Sequence, residues 1–284
     1  AQGAQVRVVA SGVFLRPGGC ASAGLVARRA LVESGALGSP QQLKGMHVAV
    51  RQDASVDAYR LQKLLDLANL TMADIEPVEV SSAALVDAFA KGTVDVVGTS
   101  EPWITRLVAG GNAVLWKPAQ ELLPDFDHGL IVYGPNLLTR NPEAGKRLMV
   151  AILKAQRRYG EGPTERNLEI MAKYTGLDLA LLLQACWPEA RSDGRINVQS
   201  VLGFQDWALK NGYLDKAAGA EQIWDPRFVD YANQILQEKA PDALVLPLGT
   251  HGERHFGAVG GAIQEPAAHG DELVVGYGAI SFKE

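Results

Sequence analysis

The sequence predicts an α/β protein built around a parallel sheet, and three observations carry that prediction. Over residues 47–97, β-branched runs alternate with helical apolar stripes. The links between them are short, as right-handed βαβ crossovers require. Two of the strands run straight into polar residues that open helices, and ligands of open α/β sheets settle at the carboxyl ends of strands. At 284 residues the chain exceeds a typical single domain, so two compact lobes, or one lobe pair with a tail, are expected.

Gln5 to Ala10 forms a β-branched run that should end as a buried strand at Ser11-Gly12. Residues 13–23 read as a loop and Gly24 to Arg28 as the next strand. Leu37-Gly38-Ser39-Pro40 marks a lobe boundary before the strand His47-Val48-Ala49-Val50. Leu61, Leu64, Leu65 and Ala68 then fall at i, i+3, i+4 and i+7, which predicts an amphipathic helix over 55–69. Ile75 to Val80 is a strand, and Ala83 to Lys91 a helix that Ser81 or Ser82 can cap and Gly92 can stop. Leu85, Val86 and Phe89 supply its apolar face. Val94-Asp95-Val96-Val97 leads into Thr99-Ser100-Glu101-Pro102-Trp103, where a carboxylate, hydroxyls and an indole meet a strand end.

Gly129 to Tyr133 is the strand that leaves this unit. Asn141-Pro142-Glu143 reads as cap, first helical position and favourable dipole charge, followed by a stripe of Leu148, Ala151, Ile152 and Ala155. Thr164 to Ala240 reads as helices, turned sharply at Ser192-Asp193-Gly194-Arg195 and stopped at Asn211-Gly212. Residues 241–284 are Gly-rich, hold three of the five histidines and carry no helical stripe, so they form a separate tail.

A net charge of −5 argues against a general nucleic-acid binder, which needs clustered Lys and Arg. No apolar run approaches the roughly 20 residues of a membrane helix, and no export signal is present in the chain. Cys20 and Cys186 lie far apart without metal or redox spacing, and are read as plain packing or surface thiols.

Leu43-Lys44-Gly45-Met46-His47-Val48-Ala49-Val50 and Gly92-Thr93-Val94-Asp95-Val96-Val97-Gly98-Thr99-Ser100-Glu101-Pro102-Trp103 occur in an order that resembles the substrate-binding proteins of ABC importers, in the nitrate, sulfonate, taurine and thiamine-precursor group. Asn141-Pro142-Glu143-Ala144, Tyr174-Thr175-Gly176-Leu177 and Asp193-Gly194-Arg195-Ile196 extend the resemblance to about Ala232. It implies the two-lobe type II periplasmic-binding fold, closing by a hinge, with lobe one formed by 1–36 and 127–240 and lobe two by 37–126. Such proteins normally open with strand, helix, strand and helix before the segment that starts here. Glu272 to Ala279 resembles their first strand and can fill the empty sheet position from the tail. The implied function is capture of a small organic or anionic solute, handed by a periplasmic or lipid-anchored monomer to a membrane permease. Neither a cofactor nor a metal is implied.

The candidate contacts follow from the strand ends and from this resemblance. Ser55, with Ala54 and Asp53, stands where a helix N-terminus can bind an anionic head group, although Asp53 or Ser55 can equally cap its own helix. A cleft-lining Asp53 would favour a cationic or zwitterionic ligand. Glu101 should meet solvent, pair with Arg106 or bind ligand, and Trp103 can offer a ring face or simple packing. Ser11, Gly12 and the loop from Arg16 to Ser22 should reach the cleft from the other lobe, with Arg16 as anion partner. His128 adjoins the return hinge.

Two further classes compete. Relatives of this fold include a cysteine desulfinase and a pyrimidine synthase, and Cys20 sits in a Gly-rich loop near the expected cleft, with Arg16 able to supply a positive field. His251, Glu253, His255 and His269 offer metal ligands, but in a glycine-flanked stretch that is poorly suited to helical i, i+4 geometry.

Overall fold

The computed structural model describes residues 5–50 and 54–238. The strands are β1 (Arg7–Leu15), β2 (Ala23–Arg28), β3 (His47–Ala49), β4 (Glu76–Val78), β5 (Val96–Ser100), β6 (Ala113–Pro118) and β7 (Phe126–Tyr133). The helices are α1 (Arg29–Glu33), α2 (Val56–Ala68), α3 (Leu85–Lys91), α4 (Trp103–Ala109), α5 (Ala119–Leu122), α6 (Pro142–Tyr159), α7 (Glu165–Thr175), α8 (Leu179–Gln184), α9 (Val198–Lys210), α10 (Ala220–Ile223) and α11 (Arg227–Glu238). Among the described residues the strands form two sheets, β1-β7 and β4-β3-β5-β2-β6.

In the larger sheet β3 pairs parallel with β4 and β5, as the short crossovers predict. β2 runs antiparallel to both β5 and β6. Its period-2 alternation sends Leu25 and Ala27 to one face, against Leu61, Leu64 and Leu65 of α2. Val26 points to the other face, against Leu85, Phe89, Ile104 and Leu107 of α3 and α4. The predicted α2 stripe is buried throughout. Gly92 ends α3 in the left-handed conformation at φ 71°, a backbone state that costs glycine least.

The smaller sheet packs α6 and α11 against it through Val9, Tyr133, Met149, Leu153 and Phe228. Two chain crossings, residues 16–22 and 119–125, connect the sheets. They are tied side by side by Asp125 N–H donating to the Leu15 carbonyl at 3.0 Å and Gln120 Nε2 donating to the Gly19 carbonyl at 2.9 Å. A mixed core of Leu15, Ala23, Tyr59, Leu123 and Phe126 fills the junction.

Several expectations are revised. β1 does not stop at Ser11-Gly12 but continues to Leu15, with the Ser11 hydroxyl donating to Asp127 of β7 and its N–H to the Gly194 carbonyl. Residues 23–28, expected in lobe one, pair in the five-stranded sheet, so the strands divide near residue 22 rather than 36. Asn141 does not cap α6 with its side chain, which instead donates to Asn136 at 3.1 Å. The buried line of α6 runs through Gly145, Met149 and Leu153, leaving Ala151 and Ala155 exposed. Tyr133 Oη donates to the Gly145 carbonyl at 3.1 Å, and α6 turns that line toward it. Neither Ser81 nor Ser82 caps with its side chain. Glu272 to Ala279 lies outside the described residues.

The two cysteines are not plain thiols. They form a disulfide across a sequence separation of 166, with Cα atoms 5.8 Å apart. The pairing was hidden because the 16–22 crossing meets the 186–189 segment only in the folded chain, where Arg16 Nε also pairs with Glu189 at 2.5 Å.

Candidate functional site

A cleft of about 910 Å³ opens where the parallel strands end. Val50 after β3, residues 79–82 after β4 and Val97 to Thr99 of β5 form its floor and one wall, with Asp57 and Leu61 of α2 beside them. Trp207, Asn211 and Tyr213 from the end of α9 close it from the side of the smaller sheet. The position follows from the strand ends, and the apolar-plus-polar lining is that of a small-molecule site. An aromatic chain leads into it, with Tyr59 of α2 meeting Phe126, Phe204 and Trp207 at ring separations of 5.9, 5.5 and 5.3 Å. The Trp207 indole N–H is buried and has no hydrogen-bond partner among the described residues.

The residues singled out from sequence are placed as follows. The Ser55 hydroxyl, buried, accepts from Ala58 N–H at 3.2 Å and so caps α2. Ala54 precedes it, half-buried, and Asp53 lies outside the described residues. Glu101 accepts from the Thr105 N–H at 3.1 Å and hydroxyl at 2.9 Å, capping the start of α4. Its Oε1 also accepts from Cys186 N–H at 3.2 Å, across from the other sheet's half. It therefore neither pairs with Arg106 nor stands free. Trp103 instead lies under the Arg106 guanidinium, 4.8 Å from ring centre to Cζ.

On the opposite side, Ser11 does not face a cleft. It is fully buried and donates to Asp127 Oδ1 at 2.6 Å, because Asp127 organises this half by also accepting from Asn197 N–H at 2.6 Å and Arg191 Nε at 3.3 Å. Gly12 packs on the Gly129 backbone, where a Cβ would come within 3.2 Å of the carbonyl oxygen. Ser22 is buried, and its carbonyl accepts from Glu101 N–H at 2.9 Å. Arg16, paired with Glu189, lines a separate cavity of about 720 Å³ beside Trp187 and Tyr159 rather than the main cleft. Cys20 carries no thiol, so the nucleophile of the enzymatic alternative is absent from its predicted place. The histidines of the tail lie outside the described residues. Among the described residues no group of three or more His, Cys, Asp or Glu side chains is placed to hold a metal ion.

Sequence reasoning missed Arg60. It is fully buried between Tyr59 and Leu61 on α2, where its Nη1 donates to Asp57 Oδ1 at 2.8 Å and to the Thr99 carbonyl at 3.4 Å. Burial lowers its pKa, with Asp57 opposing that shift. A signal was present, since Arg60 stands four residues before Leu64 on the apolar side of a helix. His128 of β7 feels the same environment. Desolvation first, and the Arg60 charge second, hold its pKa down to about 3, so the imidazole is neutral.

Two sheets joined by paired crossings, with a cleft at strand ends between them, define a two-lobe α/β fold. Residues 26–176, just over half of the chain, match the NMT1-like family, and the chain belongs to that family. The fold is shared with the ligand-binding component of an ABC-type import system from Staphylococcus aureus, solved with zinc bound (13% identity, 81% of this chain and 75% of that one, TM-score 0.65). It is also shared with the periplasmic aliphatic sulphonate binding protein SsuA from Escherichia coli (20% identity, 78% and 73%, TM-score 0.61). The desulfurization enzyme DszB has a similar fold (15% identity, 82% and 80%, TM-score 0.58). No curated protein matches in sequence.

Proposed function

We propose that this chain is the solute-binding component of an ABC import system, which captures a small organic solute between two lobes and presents it to a membrane permease. Lobe one is read as β1, β7 and the helices from α6 onward; lobe two is the five-stranded sheet with its helices. The observation that carries this reading is the cleft itself, walled on one side by strand ends of the larger sheet and on the other by α9. Both connections between the sheets run side by side, the arrangement that lets two lobes close on a ligand. Membership of the NMT1-like family and the shared fold with import-system binding components support it. Contacts made to both lobes at once favour the closed state, so affinity and closure are one free energy.

The Cys20–Cys186 bridge supports an oxidising, extracytoplasmic location, where disulfides persist. Among the described residues no helix is long and apolar enough to cross a membrane. The bridge also weighs against a thiol-dependent desulfinase reading, which needs Cys20 as thiolate. The protein is read as a binding component rather than an enzyme, acting as a monomer.

Native mass spectrometry of freshly purified protein, followed by thermal-shift screening of sulfonates, nitrate, pyrimidines, flavins and amines, tests the proposal. A co-purified solute, or a panel member that raises the melting temperature in proportion to its concentration, is the expected outcome. Absence of any bound solute together with turnover of a panel member would overturn it.

A further inference from the structure

We propose that this chain carries a second ligand site, outside the main cleft, and that it takes an aromatic carboxylate. Its place is the cavity of about 720 Å³ beside the first crossing, a volume in the range of small-molecule pockets. None of its lining residues is shared with the main cleft, so it stands whatever that cleft binds.

One wall of the cavity is aromatic. Tyr159, the last residue of α6, stacks on Trp187 with ring centres 5.3 Å apart and planes 26° apart. The Trp187 indole N–H is satisfied by the Leu182 carbonyl at 2.8 Å, and the disulfide at Cys186 fixes the chain immediately before it. The ring is thus held in place, and what it offers a ligand is apolar surface. Phe14 and Pro188 extend the wall, and the Arg191 guanidinium covers Phe14 at 4.0 Å from the ring centre.

The charges beside that wall leave one cation over. Three arginines and two carboxylates line the cavity: Arg16, Arg157, Arg191, Glu189 and Asp193. Arg16 pairs with Glu189, Arg191 with Asp125 and Asp127, and Asp193 with Arg195. Arg157 bonds only neutral oxygens among the described residues, its Nε donating to the Ser192 carbonyl at 3.0 Å and its Nη2 to Asn233 Oδ1 at 2.9 Å. A guanidinium already fixed by two hydrogen bonds loses little further freedom when its remaining N–H groups meet an anion. Arg16 is more than half exposed and spends only Nε on Glu189, so its other donors are open to the same anion. The carboxyl end of α6 opposes an anion through its dipole, and the cations of its last turn, Arg157 and Arg158, offset this. Arg157 and Tyr159 leave that same turn, which puts cation and ring side by side. A flat ring carrying one carboxylate meets both.

Titration calorimetry on dialysed protein tests this, with indoleacetate as the probe, tryptamine as a cation on the same ring and acetate as the carboxylate without the ring. Indoleacetate should bind saturably and at least tenfold more tightly than either. Arg157→Gln should weaken indoleacetate about tenfold or more, since a hydrogen-bonded charge is lost. Arg158→Gln removes the same charge one residue along, outside the cavity, and should leave the affinity unchanged. If Arg157→Gln fails to fold, Arg16→Gln carries the test and should weaken the probe severalfold. Indifference to both Arg157→Gln and Arg16→Gln overturns the proposal, as do equal losses from Arg157→Gln and Arg158→Gln, a preference for tryptamine or acetate, or no saturable binding. None of these outcomes touches the solute-binding reading of the main cleft, which a co-purified solute tests separately.

Discussion

Lowering the pH should destabilise this protein through His128, and the size of the effect follows from where that ring sits. Its pKa in the folded chain is about 3, held down by burial and then by Arg60, against an ordinary value near 6.5. A depressed folded pKa means that the unfolded chain binds the proton more readily. Stability is therefore complete above the ordinary value and is lost as the pH falls toward the folded one. Each unit of that window is worth about 1.4 kcal/mol, so the loss from this group reaches about 2 kcal/mol at pH 5 and about 3 kcal/mol at pH 4. These figures are ceilings, because the residue as a whole is half-buried. The clean comparison is urea denaturation of the wild type and His128→Gln at pH 8, 6.5 and 5, since carboxylates titrate in both proteins and cancel. The difference in unfolding free energy should shift by about 2 kcal/mol in favour of the variant between pH 8 and pH 5. A difference constant to within about 0.5 kcal/mol would refute the argument that the ring is buried beside a cation.

The remaining predictions concern the joints between the two halves. Replacing both Cys20 and Cys186 by Ser should destabilise the protein by up to about 5 kcal/mol, the chain-entropy figure for a closed loop of 166 residues, measured as a shift in urea midpoint; an unshifted midpoint would show that the bridge constrains nothing. Tyr59→Ala removes the ring that meets Phe126, Phe204 and Trp207 and should cost about 3–5 kcal/mol, together with a change in Trp207 fluorescence that a purely local loss within α2 would not produce. Glu101→Ala removes the acceptor of Thr105 and Cys186 and should cost roughly 1–3 kcal/mol in stability. If the Cys186 contact holds the closed form, the variant should also bind its solute more weakly, and small-angle scattering should show a larger radius than the wild type; equal radii would assign Glu101 a capping role alone.

Local pattern determined most of the larger sheet's half. The stripe Leu61, Leu64, Leu65, Ala68 required a helix with one buried side, Gly92 required a stop, and Val48 and Val96 required strands, because each signal depends on neighbours within a few residues. A cavity opens beside Val50 and Val97 to Thr99 at those strand ends, but none of the described residues singled out as ligand contacts lines it. The sequence could not show that Ser55 and Glu101 spend their side chains on capping α2 and α4, since a cap and a ligand contact call for the same residue types. Nor could it show that Cys20 meets Cys186, that Ser11 turns inward to Asp127, or that β2 joins the five-stranded sheet. Each is a pairing between segments far apart in the chain, decided by which surfaces become neighbours after collapse. Arg60 shows the division most plainly. Its charge is written in the sequence, but whether a guanidinium on an apolar helix face reaches water, a carboxylate or nothing is a property of the packed surroundings, and there Nε and Nη2 are left without a partner among the described residues.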